Sequence, residues 1–326
     1  MADSSPQKER RKPVLIVQHA HYEHPAALRR ALEAQGIQSH WIHPYRGDPF
    51  PALEEVRGIL SLGGPMGAND EEKHPWILPE LDLLRASVLS GRPTVGICLG
   101  GQMMARALGS RVVKAERVEL GWFKLDLLPE ANRDRILGSV GKEPTVYQWH
   151  EDTFHLPDGA TLLATSAACP RQAYRVGENA WGFQFHPEAD HQLVHEWLAV
   201  EGIDDEIQAA LDRHGPETVQ TAENMRLRAR EHERHSLRIA SAISEVFNTR
   251  PYHPLNETLR TSYETWIREK TLLLIEFEDS NRRLASIKGT LAALLDIGRS
   301  DFLMFREENG ILWPVRADRV RRLLLA

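Results

Sequence analysis

The alternation of apolar and polar positions changes rhythm three times along the chain. Over roughly the first hundred residues, short apolar runs alternate with longer stretches of helical period. The runs predict strands over 14–17, 39–42, 58–62 and 94–97, and the stretches between them predict helices over 25–35, 77–90 and 99–108. Such alternation implies a mostly parallel sheet with helices on both faces. Residues 112–127 and 145–188 are richer in strands and hairpins. From 190 to 248 the pattern turns strongly helical, marked by Leu193, Trp197, Ile203, Ile207, Leu211, Leu227, Leu237, Ile239, Ile243 and Phe247 and broken at Gly215-Pro216. Residues 248–255, with two prolines, read as a linker. The last segment predicts short strands over 271–277, 285–295, 302–306 and 311–315, with turns at Asp279-Ser280-Asn281 and Asn309-Gly310. A helix near 257–268 leads into it, and its size suits a small SH3-like barrel or sheet. The expected organisation is a flexible leader over 1–12, an α/β domain over 13–200, a helical extension over 201–250 and a small β-rich domain over 256–326.

Chemistry concentrates in three segments of the α/β part. Gly96-Ile97-Cys98-Leu99-Gly100-Gly101-Gln102 places a cysteine where a strand turns into a helix, between small residues. This is the nucleophile-elbow arrangement with sulfur in place of a serine oxygen, and the helix N-terminus beside it favours thiolate. Alone, the pattern also suits a buried small cysteine between packed elements. Gly182-Phe183-Gln184-Phe185-His186-Pro187-Glu188 ends an apolar strand, and its His and Glu stand two apart. On extended chain both side chains leave one face, so a carboxylate can hold one imidazole nitrogen while the other faces a thiol. Ser61-Leu62-Gly63-Gly64-Pro65-Met66-Gly67 follows an apolar strand and exposes the bare N–H groups that an oxyanion site needs.

Together these motifs resemble the class I, triad-type glutamine amidotransferase domain. The resemblance runs from about Val14 to about Trp197 and includes Glu119-Leu120-Gly121-Trp122 and Gln148-Trp149-His150-Glu151-Asp152 in order. The chain looks most similar to the stand-alone GMP-synthase-like group, with γ-glutamyl peptidases as near relatives. The resemblance implies a flavodoxin-like α/β fold and a catalytic triad of Cys98, His186 and Glu188. It implies an oxyanion hole from the backbone N–H groups of Gly64 and Leu99. It further implies that Gln102, Gly121, Trp122 and His150 lie along the substrate. A glutamine in a first helical turn also reads as a capping or solvated residue, and a tryptophan after glycine as core. His150 lacks a His-x-Glu partner of its own and reads as lining a pocket, or as a satisfied structural histidine.

Other features narrow the picture. His19, His21 and His24 follow the first strand at spacings of two and three, but Glu23 is the only nearby carboxylate, so the loop reads as imidazole-rich, with no metal expected. Two cysteines in 326 residues exclude a disulfide framework and point to a reducing, cytoplasmic setting. Cys169 reads as structurally neutral. No apolar run approaches membrane-spanning length. The residues show no secretory h-region near Met1 and no Gly-x-x-x-x-Gly-Lys phosphate loop. A formal net charge of −6 disfavours broad nucleic-acid binding, and the basic Lys8–Lys12 stretch and the arginines at 316, 319, 321 and 322 read as solvating. No cofactor is implied. The tail is too short for an ATP-using synthase domain, so ammonia from glutamine would pass to an acceptor or a synthase partner. The alternatives are a γ-glutamyl peptidase, using the same triad on a peptide bond, and a non-catalytic regulator acting through the β-rich tail.

Overall fold

The computed structural model describes residues 12–248 and, beyond them, the strand segments 272–278, 284–297, 300–307, 312–316 and 320–325. The chain divides into two compact units at Pro251/Tyr252. The first is built on an eight-stranded sheet. Its strands are β1 (Val14–Val17), β2 (Ser39–Ile42), β3 (Gly58–Ser61), β4 (Thr94–Ile97), β6 (Asp126–Leu127), β8 (Thr161–Thr165), β9 (Ala173–Val176) and β10 (Ala180–Phe183), in the order β2-β1-β3-β4-β10-β9-β8-β6. The five strands from β2 to β10 run parallel, and β9, β8 and β6 extend the sheet antiparallel. The mixed sheet matches the strand-rich second half seen in the sequence.

Strands β1, β3 and β4 are buried from end to end, as the uninterrupted apolar runs require of strands covered on both faces. The period of two sorts β1 cleanly. Val14 and Ile16 face a core with Ala27, Leu28 and Leu32 of α1 (Ala26–Ala34), and Leu15 and Val17 face Leu84, Val88, Met103 and Met104 of α2 (Ile77–Leu89) and α3 (Leu99–Ala107). A long ribbon, β5 (Val112–Lys124) with β7 (Thr145–Phe154), stands apart as its own two-stranded sheet.

The helical stretch resolves into α4 (His191–Trp197), α5 (Ile203–His214) and α6 (Ala222–Val246), with Gly215 closing α5 as the sequence suggested. It packs into the first unit in two places. Ile239, Ile243 and Phe247 complete the core under β1, and Leu193, Trp197, Ile207 and Met225 close over Trp122 and Tyr147 of the ribbon. Leu227 and Leu237, expected on the apolar face, are instead 73% and 42% exposed. Over 25 residues one helix cannot keep every leucine inward, because its buried stripe follows two different cores.

The second unit contains a five-stranded antiparallel sheet in the order β14-β13-β12-β11-β15. Its strands are β11 (Leu272–Glu278), β12 (Leu284–Ile297), β13 (Ser300–Glu307), β14 (Leu312–Arg316) and β15 (Val320–Leu325). Four were expected. The fifth falls where the arginines read only as solvating, yet Leu323 and Arg322 pair with Ile275 and Glu276 of β11. Two adjacent arginines hide the alternation that marks a strand. The expected helix over 257–268 and most of the linker lie outside the described residues.

Candidate active site

At the end of β4 the chain turns through Cys98 at φ 48°, ψ −109°, a left-handed conformation that non-glycine residues seldom take. Two glycines make room. A Cβ on Gly96 would sit 2.4 Å from the Gly100 carbonyl oxygen, and one on Gly100 would sit 2.3 Å from the Ser61 carbonyl oxygen. The turn is pinned on both sides: the Cys98 N–H donates to Phe183 O at 2.7 Å and the Gly100 N–H to Leu62 O at 3.0 Å. Cys98 thus caps α3 at the shared carboxyl edge of β3, β4 and β10, where open α/β sheets carry their chemistry. Its thiol points to Trp149 O at 3.7 Å and receives Gln184 Nε2 at 3.8 Å.

His186 and Glu188 follow β10. The backbone of His186 is fixed by a hydrogen bond from its N–H to Tyr147 O, and its ring by an edge contact with Trp197 at 5.0 Å. Nδ1 lies 2.8 Å from Glu188 Oε1, and both side chains are buried. Nε2, on the other side of the ring, is buried with no hydrogen-bond partner among the described residues. Burial works against charge on the imidazole. The Glu188 carboxylate and Cys98 outweigh it and hold the ring well above the ordinary histidine range. The backbone at Gly64 abuts Leu99: a Cβ on Gly64 would stand 2.9 Å from Leu99 Cδ2.

A cavity of ≈ 640 Å³ opens over this edge. Cys98, His186, Gly64, Leu99, Gln102 and His150 all line it. Gln102 donates to Asp152 O at 3.2 Å and Gln184 Oε1 at 3.3 Å, tying α3 to the ribbon. The structure does not bring Gly121 and Trp122 to the cavity. Gly121, at φ 127°, abuts Gln220, and Trp122 packs on Tyr147 and donates its Nε1–H to Met225 O. Both are instead covered by the helical stretch, Gly121 by Gln220 at its approach and Trp122 by Met225.

His150 has the acidic partner that local spacing could not reveal. The register sets it opposite Glu119, whose Oε2 lies 3.2 Å from His150 Nε2. Glu119 also accepts from Ser166 at 2.7 Å and Gln172 at 2.6 Å, and His150 Nδ1 meets Asp152 O at 3.1 Å. Cys169 joins this buried group, close enough with Glu119 and His150 to suggest metal donors. Each donor already has a hydrogen-bond partner, Cys169 through Thr153 and the Arg171 carbonyl. Burial pushes the Cys169 thiol up, which disfavours the thiolate a metal would need. The early histidines do not converge: His19 is buried against Glu80 and Gly63 O, and His24 pairs with Glu196.

Sequence reasoning left Glu23 out of the site. Its carboxyl reaches the edge of the His186 ring, and its only sequence signal is its place in the loop after β1, where such sheets build their sites.

Comparison with known proteins agrees with this architecture. The family model for glutamine amidotransferase class-I matches residues 23–203. The glutamine amidotransferase-like protein YfeJ of Salmonella typhimurium is 31% identical over 218 residues, covering 65% of this chain and 89% of that protein. A glutamine-hydrolyzing GMP synthase of Aquifex aeolicus is 31% identical over 193 residues, which is 56% of this chain but only 34% of the synthase. Among solved structures, a glutamine amidotransferase of Methylobacillus flagellatus superposes with a TM-score of 0.68 at 30% identity, covering 74% of this chain and 97% of its own. One from Thermotoga maritima gives 0.63 at 26% identity, covering 73% and 98%. With a family match spanning more than half its length on a flavodoxin-like sheet, the chain belongs to the class-I glutamine amidotransferases.

Proposed function

We propose that the protein hydrolyses the side-chain amide of glutamine through a γ-glutamyl thioester on Cys98. The observation that carries this reading is His186, held by Glu188 at Nδ1 and close enough to the strained Cys98 for that group to raise the ring. Cys98 Sγ attacks the amide carbon while its proton passes to His186 Nε2. The N–H groups of Gly64 and Leu99 receive the oxyanion. Collapse of the tetrahedral species breaks the C–N bond, and His186 returns the proton to the leaving nitrogen as ammonia departs. Water then attacks the thioester, giving its proton to His186, and C–S cleavage releases glutamate and restores the thiol. Glu188 on Nδ1 stabilises the positive ring that forms when Nε2 carries the proton from Cys98. Gln102 and His150 line the substrate's approach.

The matched GMP synthase is named as glutamine-hydrolyzing, and this chain covers only about a third of it. Support for an ammonia acceptor on a partner chain rests on that likeness. A second reading has an observation of its own: a cavity of ≈ 640 Å³ has room for a leaving group larger than ammonia. On that reading the same chemistry cleaves a γ-glutamyl peptide. Glutamate release from glutamine, glutathione and γ-glutamyl dipeptides separates the two, with Cys98→Ala beside the native chain. Release from glutamine that falls at least about 10³-fold in Cys98→Ala supports the proposal. Release from peptides alone selects the second reading. Release that survives Cys98→Ala overturns both, and silence on every substrate supports the regulator reading.

A further inference from the structure

Beside Cys98 the proposed triad uses an imidazole and a carboxyl, and it leaves a second carboxyl without a task. Glu23 sits in the loop after β1, in a turn closed by its own N–H to Ala20 O at 3.1 Å. The same segment is stitched to the closing loop of the site by the Ala27 N–H, which donates to Glu188 O at 3.2 Å. Glu23, His186 and Glu188 each place a nitrogen or carboxylate oxygen within 4.8 Å of the others. A Cβ on Gly63 would lie 2.9 Å from Glu23 Oε2 and 2.9 Å from His186 Cε1, so carboxyl and ring edge converge over that glycine. Only a residue without a side chain leaves this space open. Oε2 of Glu23 and Oε2 of Glu188 are both buried and without hydrogen-bond partners among the described residues.

A native fold rarely buries two unpartnered carboxylate oxygens beside one imidazole without a reason. With Glu188 already on Nδ1, a second full negative charge at this spacing is costly unless the ring is positive or the second carboxyl holds a proton. Burial, with the repulsion of Glu188 added, pushes Glu23 up to about 7, while His186 and His19 pull the other way. The other groups facing it are Tyr147 of β7 and Tyr22 beside it, with Arg226 beyond the first and Glu206 beyond the second. His19 is itself occupied by Glu80.

We infer that Glu23 is a positioning residue for His186, a carboxyl set against the ring edge whose charge governs how firmly the imidazole keeps its proton. Ionised, it stabilises the imidazolium and so the ion pair with a Cys98 thiolate. Protonated, it lets His186 give up its proton and act as the base that deacylation needs. The inference rests on reading His186 as the partner of Cys98, but its test reads the ring and not turnover.

That test is the NMR titration of the His186 Cε1–H in the full chain from about pH 5 to about pH 10, for the native protein and Glu23→Gln, with the signal assigned by its loss in His186→Gln. The native ring is expected to show a secondary inflection near pH 7 from Glu23. In Glu23→Gln that inflection disappears and the midpoint of His186 falls by about half a pH unit or more. The His150 Cε1–H signal, in a different carboxyl network, serves as the marker of an intact fold and keeps its chemical shift. An unchanged His186 midpoint overturns the inference, and so does an equal shift of His150, which would mark a loosened structure. A native curve with no secondary inflection overturns it too, so a Gln variant that failed to fold would not shelter the idea. Because no substrate is present, a chain inactive on glutamine can still pass, and an active one can still fail.

Discussion

Two buried His–Glu pairs, one within the β5/β7 ribbon and one against it, differ in one respect. His150–Glu119 is closed: both ring nitrogens have partners, and Glu119 accepts from His150, Ser166 and Gln172. His186–Glu188 is open: Nε2 of the ring and Oε2 of the carboxylate are buried with no partner. Folding alone favours closing every buried polar group, because an orphaned one costs about 1–3 kcal/mol. A pair left open beside a strained cysteine retains capacity for a substrate and a moving proton. A closed pair holds strands in place. His19–Glu80, with Ser61 and Gly63 O completing it, is closed as well, and it lies under the glycine loop next to the elbow.

The sharpest way to break this comparison is to exchange roles between pairs. His186→Ala is expected to lower glutamate release by about 10³-fold or more, and because it leaves the buried Glu188 carboxylate without its partner it should lower thermal stability as well. If steady-state kinetics showed His186→Ala active and His150→Ala dead, the assignment of open and closed pairs would be reversed.

Next in size is the cost of opening a closed pair. Glu80→Ala leaves His19 and Ser61 buried without their acceptor and should destabilise by about 3 kcal/mol in urea unfolding. Its pH dependence carries a sign. Burial opposes charge on His19, but Glu80 and the carbonyl of Gly63 more than offset this and raise the ring above its ordinary value. A raised histidine contributes stability that is fully present below the unfolded value of about 6.5 and is lost as pH rises through the folded value. The deficit of Glu80→Ala is therefore expected to narrow on the alkaline side. A deficit that grew with pH would contradict the charged pair.

The smallest effect belongs to Glu23. Its folded value of about 7 exceeds the ordinary 4.5, so the native state binds a proton that the unfolded chain has released. Native stability then falls as pH rises from about 4.5 to about 7. Glu23→Gln removes that fall. It should match the native chain near pH 4 and exceed it near pH 8 by at most about 3 kcal/mol, seen as a higher Tm. Equal Tm values at both ends would show that Glu23 meets no electrostatic penalty.

Much of the site was legible in the chain because its chemistry is local. The turn at Cys98 needs small neighbours within two residues, and His186 with Glu188 needs only extended backbone between them. Gly64 and Leu99 follow from their place beside those turns. Trp122 read equally as substrate-flanking or as core, because its neighbours in sequence do not reveal which side of the ribbon the helices cover. Glu119 was read as part of a motif and not as the partner of His150, since 31 residues and a strand register separate them. Strand β15 escaped because paired arginines mask a period of two.

By itself, then, the sequence determined the alternating α/β frame, the elbow and the His-x-Glu motif, all of which depend on side-chain size and spacing over a few residues. Only the tertiary structure decided which His–Glu pair stays open, which side of Trp122 is covered, and that Glu23 comes to rest against His186. Those outcomes depend on where distant segments meet in a low-dielectric interior, where a charge or an unmet hydrogen bond acquires its energy from neighbours that the chain brings together only on folding.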